Sequence, residues 1–378
     1  MIKNIDLTDE QKENVKRFEE FTKEYIAPHA DTFDKEEIIY DSVIKDMVAN
    51  GMWGVEIPAE YGGIGMDMLN YGFYTEELSK ACGNVRNLVG VQGMVSAAVL
   101  RWGTPEQKQY WLPKFASGEL ITAFALTEPS IGSDAKNVQT SAVEDNDSYI
   151  ITGKKKWITF GERADVFLVF AQSNGRIGAF LVSKNTPGVA VKPIRDLIGF
   201  RGSMLGELEF NECKIPKENL IAKVGFGLSH VASHSLMYGR YSTSWGCVGL
   251  AQACLEACIS YAGSRKQFDT LLKEHQLIQH MIADMVTNIM AARLMSYRVG
   301  TLIQRGDRKV SLEISAAKYF ASTIAFKIAS DAVQIHGANG CSRQYPVERF
   351  FRDAKIAEIV EGSTQIQQLF IAKHAFHK

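Results

Sequence analysis

The stretch 148-SYIITGKKKWITF-160, followed by 166-VFLVFAQ-172 and 178-GAFLVS-183, decides the architecture of this chain. Each run is rich in β-branched and aromatic residues, and each is bounded by a turn cluster: DND before the first, SNGR between the second and third, KNTPG after the third. The pattern predicts a β-block over residues 117 to about 225, built as a meander or small barrel. On either side the period changes to that of helices. Residues 8 to about 116 read as an amphipathic stretch through Glu24, then DSVIKDMVANGM and MDMLNYGFYTEELSKAC, with turns at Pro58 and 61-YGGIG-65. From Leu228 onward long helical segments return, broken near 263-GSRKQF-268, 305-RGD-307 and 337-GANG-340. The expected class is therefore α+β: a helical domain over 1–116, a β-domain over 117–225 and a second helical domain over 226–378.

Composition agrees with a chain of 378 residues folded as two or three packed domains, 46% hydrophobic and 22% charged. Lys+Arg number 42 against 43 Asp+Glu, so no global field draws in nucleic acid or an anionic membrane, and neither is expected as a partner. An anionic ligand must be held locally. The stretch MIKNIDLTDEQKENVKRF has no apolar core of a signal peptide and no apolar run reaches membrane-spanning length, which points to a cytoplasmic protein. The six cysteines are scattered, with Cys254 and Cys258 inside an Ala-rich helical stretch, and read as buried thiols.

Several motifs carry no chemistry. The glycines of 61-YGGIGMD-67 follow no strand and lack GxGxxG spacing. His230 and His234 stand at i,i+4 without an intervening Glu or a third ligand, so no metal is expected. No G-x-S-x-G elbow is present, which leaves acyl transfer through a serine unsupported.

Two polar segments are harder to explain by packing. In 124-FALTEPSIGSDAKN-137 a strand-like run ends in a loop of hydroxyls and small residues, suited either to close approach of a planar or phosphorylated ligand or to a plain surface turn. In 154-KKKWITFGERAD-165, strand alternation puts Trp157 and Thr159 on one face. They could stack on a heteroaromatic ring and bond its edge, or Trp157 could be a core residue. A third segment, 358-EIVEGSTQIQQ-368, places Glu361 where an apolar run breaks at a glycine, as a helix cap or as a base at the mouth of a pocket.

Taken together, LTEPSIGSD, KKWIT, SRKQFDTLLKEHQLIQHMIADM, DAVQIHGANGCSRQYPVERFFRDAKI and IVEGSTQIQ resemble the successive signatures of the acyl-CoA dehydrogenase family, in order and over nearly the whole chain. The resemblance implies an FAD enzyme with an N-terminal helical domain, a β-barrel-like middle domain and a C-terminal four-helix bundle. By position, Phe124, Leu126 and Thr127 would contact the flavin ring, Trp157 and Thr159 would cover it near its reactive nitrogen, and Ser133 would hold the pantetheine arm of the substrate. Ser363 and Gln365, just past the glutamate, would add cofactor contacts. Arg265, Phe268 and Gln276, with Gln334 and Gly337, would complete the dinucleotide site of a neighbouring subunit, which implies a homodimer or homotetramer. Asp269 and Ala338 stand where the family usually has glycine.

The same resemblance makes Glu361 the base for the α-proton of an acyl thioester, with hydride passing from the β-carbon to the flavin and Gly362 letting the chain turn past the substrate. Branches that place the base just before the helix arginine, here Arg240, are excluded because that position is Gly239. Tyr241 and Trp245 lie on the helix that would floor the pocket and favour a short acyl group, while Val360, at a position where glutaryl-CoA and medium-chain enzymes carry Tyr, leans toward a carrier-protein-linked branch of the family. Arg86, a helical arginine that could equally snorkel at the surface, is similar in position to the arginine with which glutaryl-CoA dehydrogenases hold a distal carboxylate. YGRxSxxWGCVG and the ending of the chain resemble more closely the dehydrogenases that oxidise glyceryl or seryl groups on an acyl carrier protein into hydroxymalonyl- or aminomalonyl-type extender units. That branch is the expectation, with an electron-transfer flavoprotein or another acceptor as redox partner and a short-chain or glutaryl-type acyl-CoA dehydrogenase as the alternative. A helical scaffold without chemistry would purify colourless.

Overall fold

The computed structural model describes residues 6–307 and 310–376. The N-terminal helices are α1 (Asp9–Phe21), α2 (Ala30–Glu36), α3 (Asp41–Ala49), α4 (Met68–Ala81), α5 (Gly83–Trp102) and α6 (Pro105–Ala116). Their starts follow from local chemistry. Thr8 and Thr104 each form a reciprocal capping box with a Gln three residues on, and Asp67 accepts from the Leu69 and Asn70 amides. α1 buries Val15, Phe18 and Phe21 on one face, as its period requires. α5 carries Gly90 and Gly93 in its interior, which costs helix propensity. The glycines serve packing: a β-carbon at Gly93 would come within 2.4 Å of the Tyr238 ring.

The middle block is one sheet of β1 (Thr122–Ala125), β2 (Ser141–Asp145), β3 (Ser148–Ile158), β4 (Val166–Ser173), β5 (Arg176–Ser183), β6 (Val189–Pro193), β7 (Gly206–Pro216) and β8 (Leu220–Ile221). Its order is β6-β7-β3-β2-β4-β5-β8, with β1 running parallel to β4. The hairpins β2–β3 and β4–β5 are those of a meander, but β7 returns to pair with β3 across a long connection. β4 lacks polar alternation because both of its faces are buried. Val166, Leu168 and Phe170 pack with Trp111, Leu112 and Phe115 of α6, while Phe167, Val169 and Ala171 pack against Tyr149, Ile151 and Phe210 inside the sheet.

The C-terminal helices are α7 (Ser233–Ser264), α8 (Gln276–Gln304), α9 (Val310–His336), α10 (Val347–Ala357) and α11 (Thr364–Phe376), with a short hairpin of β9 (Lys266–Gln267) and β10 (Thr270–Leu271) between α7 and α8. α7 is buried along much of its length, against α4 and α5 on one side and α8 and α9 on the other. Five of the cysteines, Cys254 and Cys258 among them, are buried free thiols; Cys341 is exposed, a departure from the expectation. No helix of the described residues is long and apolar enough to cross a membrane.

Candidate active site

A cavity of about 250 Å³ lies where α5, the N-terminal part of α7, the end of β3, the 197–205 loop and the turn between α10 and α11 meet. Glu361 and Arg86 both line it, as do Trp157, Thr159, Val360 and Thr243. Sequence positions 86, 157 and 361 are thus brought to one wall-to-wall space.

Glu361 sits on a left-handed turn, with φ of 57° at Glu361 and 92° at Gly362. A glycine accommodates this; a glutamate there is uncommon and costs free energy, so the surrounding contacts must hold it. They do: Arg240 Nε donates to the Glu361 carbonyl at 2.9 Å, and Gln367 Nε2 donates to the carbonyls of Glu361 and Gly362, each at 3.1 Å. The carboxylate points inward, its Oε2 buried and without a hydrogen-bond partner among the described residues. Burial pushes this carboxyl up to about 7, against the pull of Arg240, Arg86 and Lys318. A β-carbon at Gly239 would stand 2.7 Å from both Cδ and Oε2 of Glu361. The glycine therefore provides the notch that the carboxyl fills, and no side chain at 239 could share it.

Arg86 does not snorkel; it is 5% exposed. Its guanidinium lies between α5 and α7 where glycines leave room, since a β-carbon at Gly246 would meet Arg86 Nε at 2.8 Å. The Phe200 ring stands 5.8 Å from Cζ, and NH1 donates to Thr243 Oγ1 at 3.3 Å. Nε has no partner among the described residues. A buried cation with donors to spare and no carboxylate within ion-pair distance among the described residues is set to receive an acceptor from the cavity.

Trp157 is half exposed, which removes the reading of it as a core residue. Nor does simple alternation bring it beside Thr159. The β3–β7 register slips between Lys155 and Ile158, Trp157 adopts φ of 61°, and the strand ends at Ile158. Under this bulge, fully buried Lys155 donates to Glu128 Oε1 at 2.8 Å, to the Leu126 carbonyl at 3.1 Å and to the Phe170 carbonyl at 2.7 Å. Glu128 also accepts from the Gln139 and Thr140 amides, so the 126–128 segment is pinned to the sheet. Leu126 is buried and Phe124 packs on Phe170 at 4.9 Å between ring centroids, while Thr127 stays half-buried and Ser133 is exposed. The indole face, the Thr127 and Thr159 hydroxyls and this main chain fit the ring system of a flavin: a flat, partly apolar wall with hydrogen-bonding groups at its edge.

Other expected residues lie elsewhere. Tyr241 and Trp245 do not line the cavity, because they face the other side of α7: Tyr241 Oη donates to the Met68 carbonyl at 2.6 Å and Trp245 packs edge-on against Phe73. They are core residues between α7 and α4, and the expectation that they floor the pocket is corrected. Ser363 is half-buried ahead of α11, where its carbonyl accepts from the Gln367 amide, and Gln365 is exposed. Arg265, Phe268 and Gln276, around the turn from α7 to α8, are exposed, as are Gln334 near the end of α9 and Gly337 just past it. None of them lines this cavity. Residue-type reasoning missed Thr243, Phe200 and Lys318. Only Lys318, a lone cation in the apolar run SAAKYFAST, carried a visible signal.

Family profiles match in chain order: the N-terminal domain of acyl-CoA dehydrogenases over residues 8–119, the middle domain over 123–213 and the C-terminal domain over 227–376. An acyl-CoA dehydrogenase of Bacillus subtilis (strain 168) is 39% identical over 374 residues, 97% of this chain and 98% of that one. The mitochondrial short-chain specific acyl-CoA dehydrogenase of Rattus norvegicus is 36% identical over 361 residues, 94% of this chain and 87% of that one. Among solved structures, a glutaryl-coenzyme A dehydrogenase in complex with glutaryl-CoA superposes with a TM-score of 0.94 at 34% identity, covering 99% of this chain and 96% of that one. The prolyl acyl carrier protein oxidase AnaB superposes at 0.93 with 29% identity, covering 98% and 100%. With its three domains matched and its fold shared along the whole length, this chain belongs to the acyl-CoA dehydrogenase family of FAD-dependent oxidoreductases.

Proposed function

We propose that this enzyme dehydrogenates a short acyl thioester whose distal end carries an anionic or hydrogen-bond-accepting group, presented on an acyl carrier protein as in the making of hydroxymalonyl- or aminomalonyl-type units. The observation that carries the reading is the pairing of Arg86 with Glu361 across one cavity of about 250 Å³. Among the described residues the buried guanidinium has no partner at Nε, so it rewards an acceptor on the acyl chain. The likeness to AnaB, a prolyl acyl carrier protein oxidase, supports the carrier. Arg86 equally supports a glutaryl-type acyl-CoA dehydrogenase as second reading, given the likeness to the glutaryl-CoA complex.

Bound FAD supplies the acceptor for the hydride that leaves the β-carbon. Thr127, Trp157 and Thr159 would hold its ring, with Phe124 and Leu126 supporting the wall they stand on. Ser133 is exposed on the 129–137 loop, where it is free to meet the pantetheine arm. Glu361 takes the α-proton. With Oε2 buried and lacking a hydrogen bond among the described residues, it is a stronger base than a solvated carboxylate. Arg265, Phe268, Gln276, Gln334 and Gly337 would hold the dinucleotide half for a second copy in a homodimer or homotetramer, and an electron-transfer flavoprotein or similar acceptor would reoxidise the enzyme.

The test offers CoA-bound and carrier-bound short acyl groups anaerobically and follows flavin bleaching in wild type and Arg86→Ala. A charged hydrogen bond to Arg86 is worth about 1.5 to 3 kcal/mol, so the variant should lose roughly 10- to 100-fold in kcat/KM for hydroxylated or carboxylated thioesters and almost nothing for butyryl thioester. Equal losses for both classes, or none, would return the enzyme to simple short-chain substrates. Faster bleaching by CoA-bound than by carrier-bound forms would favour the glutaryl-type reading.

A further inference from the structure

Lys318 is fully buried on α9, yet no carboxylate forms an ion pair with it among the described residues. Its ammonium donates instead to two carbonyls of the α10–α11 turn, Gly362 at 3.1 Å and Glu358 at 3.3 Å. These flank Glu361 in sequence, one residue after it and three before. Together with Arg240 and Gln367, whose bonds to the Glu361 and Gly362 carbonyls are given above, Lys318 completes a ring of donors around a left-handed turn that a glutamate does not adopt unaided. An amide could satisfy those carbonyls with less desolvation. The retained charge therefore calls for a second role, and the group on which it acts is close by: Lys318 and Glu361 influence each other's ionisation, and burial holds the lysine itself down at about 8.

We infer that Lys318 is a positioning residue for the base: from beneath the α10–α11 turn it holds the Glu361 carboxyl in the Gly239 notch and, through its charge, keeps that carboxyl ionised. The inference rests on the reading of Glu361 as base. The charged groups acting on Glu361 are Arg240 from α7, Arg86 from α5 and Lys318 from α9; the titratable and charged groups facing Lys318 are the buried, neutral Cys247 thiol and Arg240 from α7, and Glu358 and Glu361 from the turn. Arg86 and Arg240 remain charged at any working pH, so Lys318 is the adjustable cation of the set.

Three variants of the flavin-loaded enzyme separate charge from scaffold, with butyryl-CoA as probe. Lys318→Met removes charge and donors, Lys318→Gln keeps a donor without charge, and Gln367→Leu loosens the same turn with the charge intact. Displacing a base by a fraction of an ångström costs on the order of 10- to 100-fold, so Lys318→Met should lose that much in kcat with little change in KM. Its pH profile should also move to higher pH than that of wild type. Lys318→Gln should recover part of the rate but keep the displaced profile, and Gln367→Leu should lose rate with the profile in place. Infrared titration of the Glu361 carboxyl, as the difference from Glu361→Gln, reads the same shift without turnover and applies to any variant that folds. An unmoved Glu361 titration in both Lys318 variants overturns the inference, as does a loss of rate equal at every pH. If Glu361→Gln instead reduces its flavin at the wild-type rate, the assignment of the base falls, and the infrared titration still decides whether Lys318 governs that carboxyl.

Discussion

The environment of the Glu361 carboxyl is set by where its turn puts it. In water it would ionise in the ordinary carboxylate range; in the Gly239 notch burial moves it to about 7. On the proposal that Glu361 takes the α-proton, its active form is the deprotonated one, so flavin reduction by substrate should rise with pH through about 7 and not through the usual carboxylate range, as a stopped-flow pH profile of kcat/KM would read. The sign for stability is the reverse. The folded state holds this proton more tightly than the unfolded chain does, so the contribution is complete below the unfolded carboxyl's range and is lost as pH rises through about 7. Glu361→Gln keeps the shape and removes the acceptor, and should slow reduction by roughly 10²- to 10⁴-fold with flavin retained and the inflection gone. A variant as fast as wild type would take Glu361 out of the mechanism. The residue itself was legible in IVEGSTQIQ. Its left-handed backbone and its notch were not, because they depend on Gly239, Lys318 and Gln367 arriving from distant parts of the chain.

Between elements, the central link is the pair Arg293–Glu76, which joins α8 to α4 beneath the cavity helices. Arg293 NH2 and Nε reach Glu76 Oε1 at 2.8 and 3.1 Å, NH2 also meets Gln252 Oε1 of α7 at 3.1 Å, and both charged side chains are almost wholly buried. Replacing Arg293 by Met leaves Glu76 buried and unpaired, for a loss of about 3 to 5 kcal/mol. Replacing both partners by apolar residues of similar volume removes the unpaired charge, so Glu76→Leu with Arg293→Met should recover most of that loss. Thermal unfolding of the single and double variants checks this, and a double variant no better than the single one would mean that the pair is worth more than its desolvation costs. Element order could be read from periodicity, since β4 and the long helices carry strong patterns. The bulge that turns Trp157 into the cavity could not: strand alternation assumes an unbroken ladder, and the register slip depends on β7, about 50 residues downstream.

At the scale of the whole molecule, the surface around the α7–α8 turn stands out. Phe268 is 91% exposed and Leu277 80%, beside exposed Arg265 and Gln276. Large apolar side chains left in water next to an arginine form the kind of patch that a second copy covers. If Arg265 reaches the cofactor of a neighbouring subunit, Arg265→Ala loses a charge-assisted hydrogen bond to phosphate of about 1.5 to 3 kcal/mol and should purify with a lower flavin-to-protein absorbance ratio. Sedimentation should find the flavin in dimers or larger. Full occupancy in the variant, or a monomer that retains FAD, would break the shared-site proposal.

What the sequence determined by itself was local or repeated: the helix–strand–helix order, and a succession of motifs specific enough to name the family. These survive in one dimension because each depends on neighbours a few residues away or on a pattern recurring along the chain. The tertiary structure alone decided that Arg86 is a buried cation facing the cavity, that Tyr241 and Trp245 turn away from it, and that Lys318 lies under the turn that carries Glu361. The reason is rotational. On a helix as fully buried as α7 the polar–apolar pattern no longer tells one face from another, so which side meets the cavity is set by the glycines at 239 and 246 and by the helices packed around them.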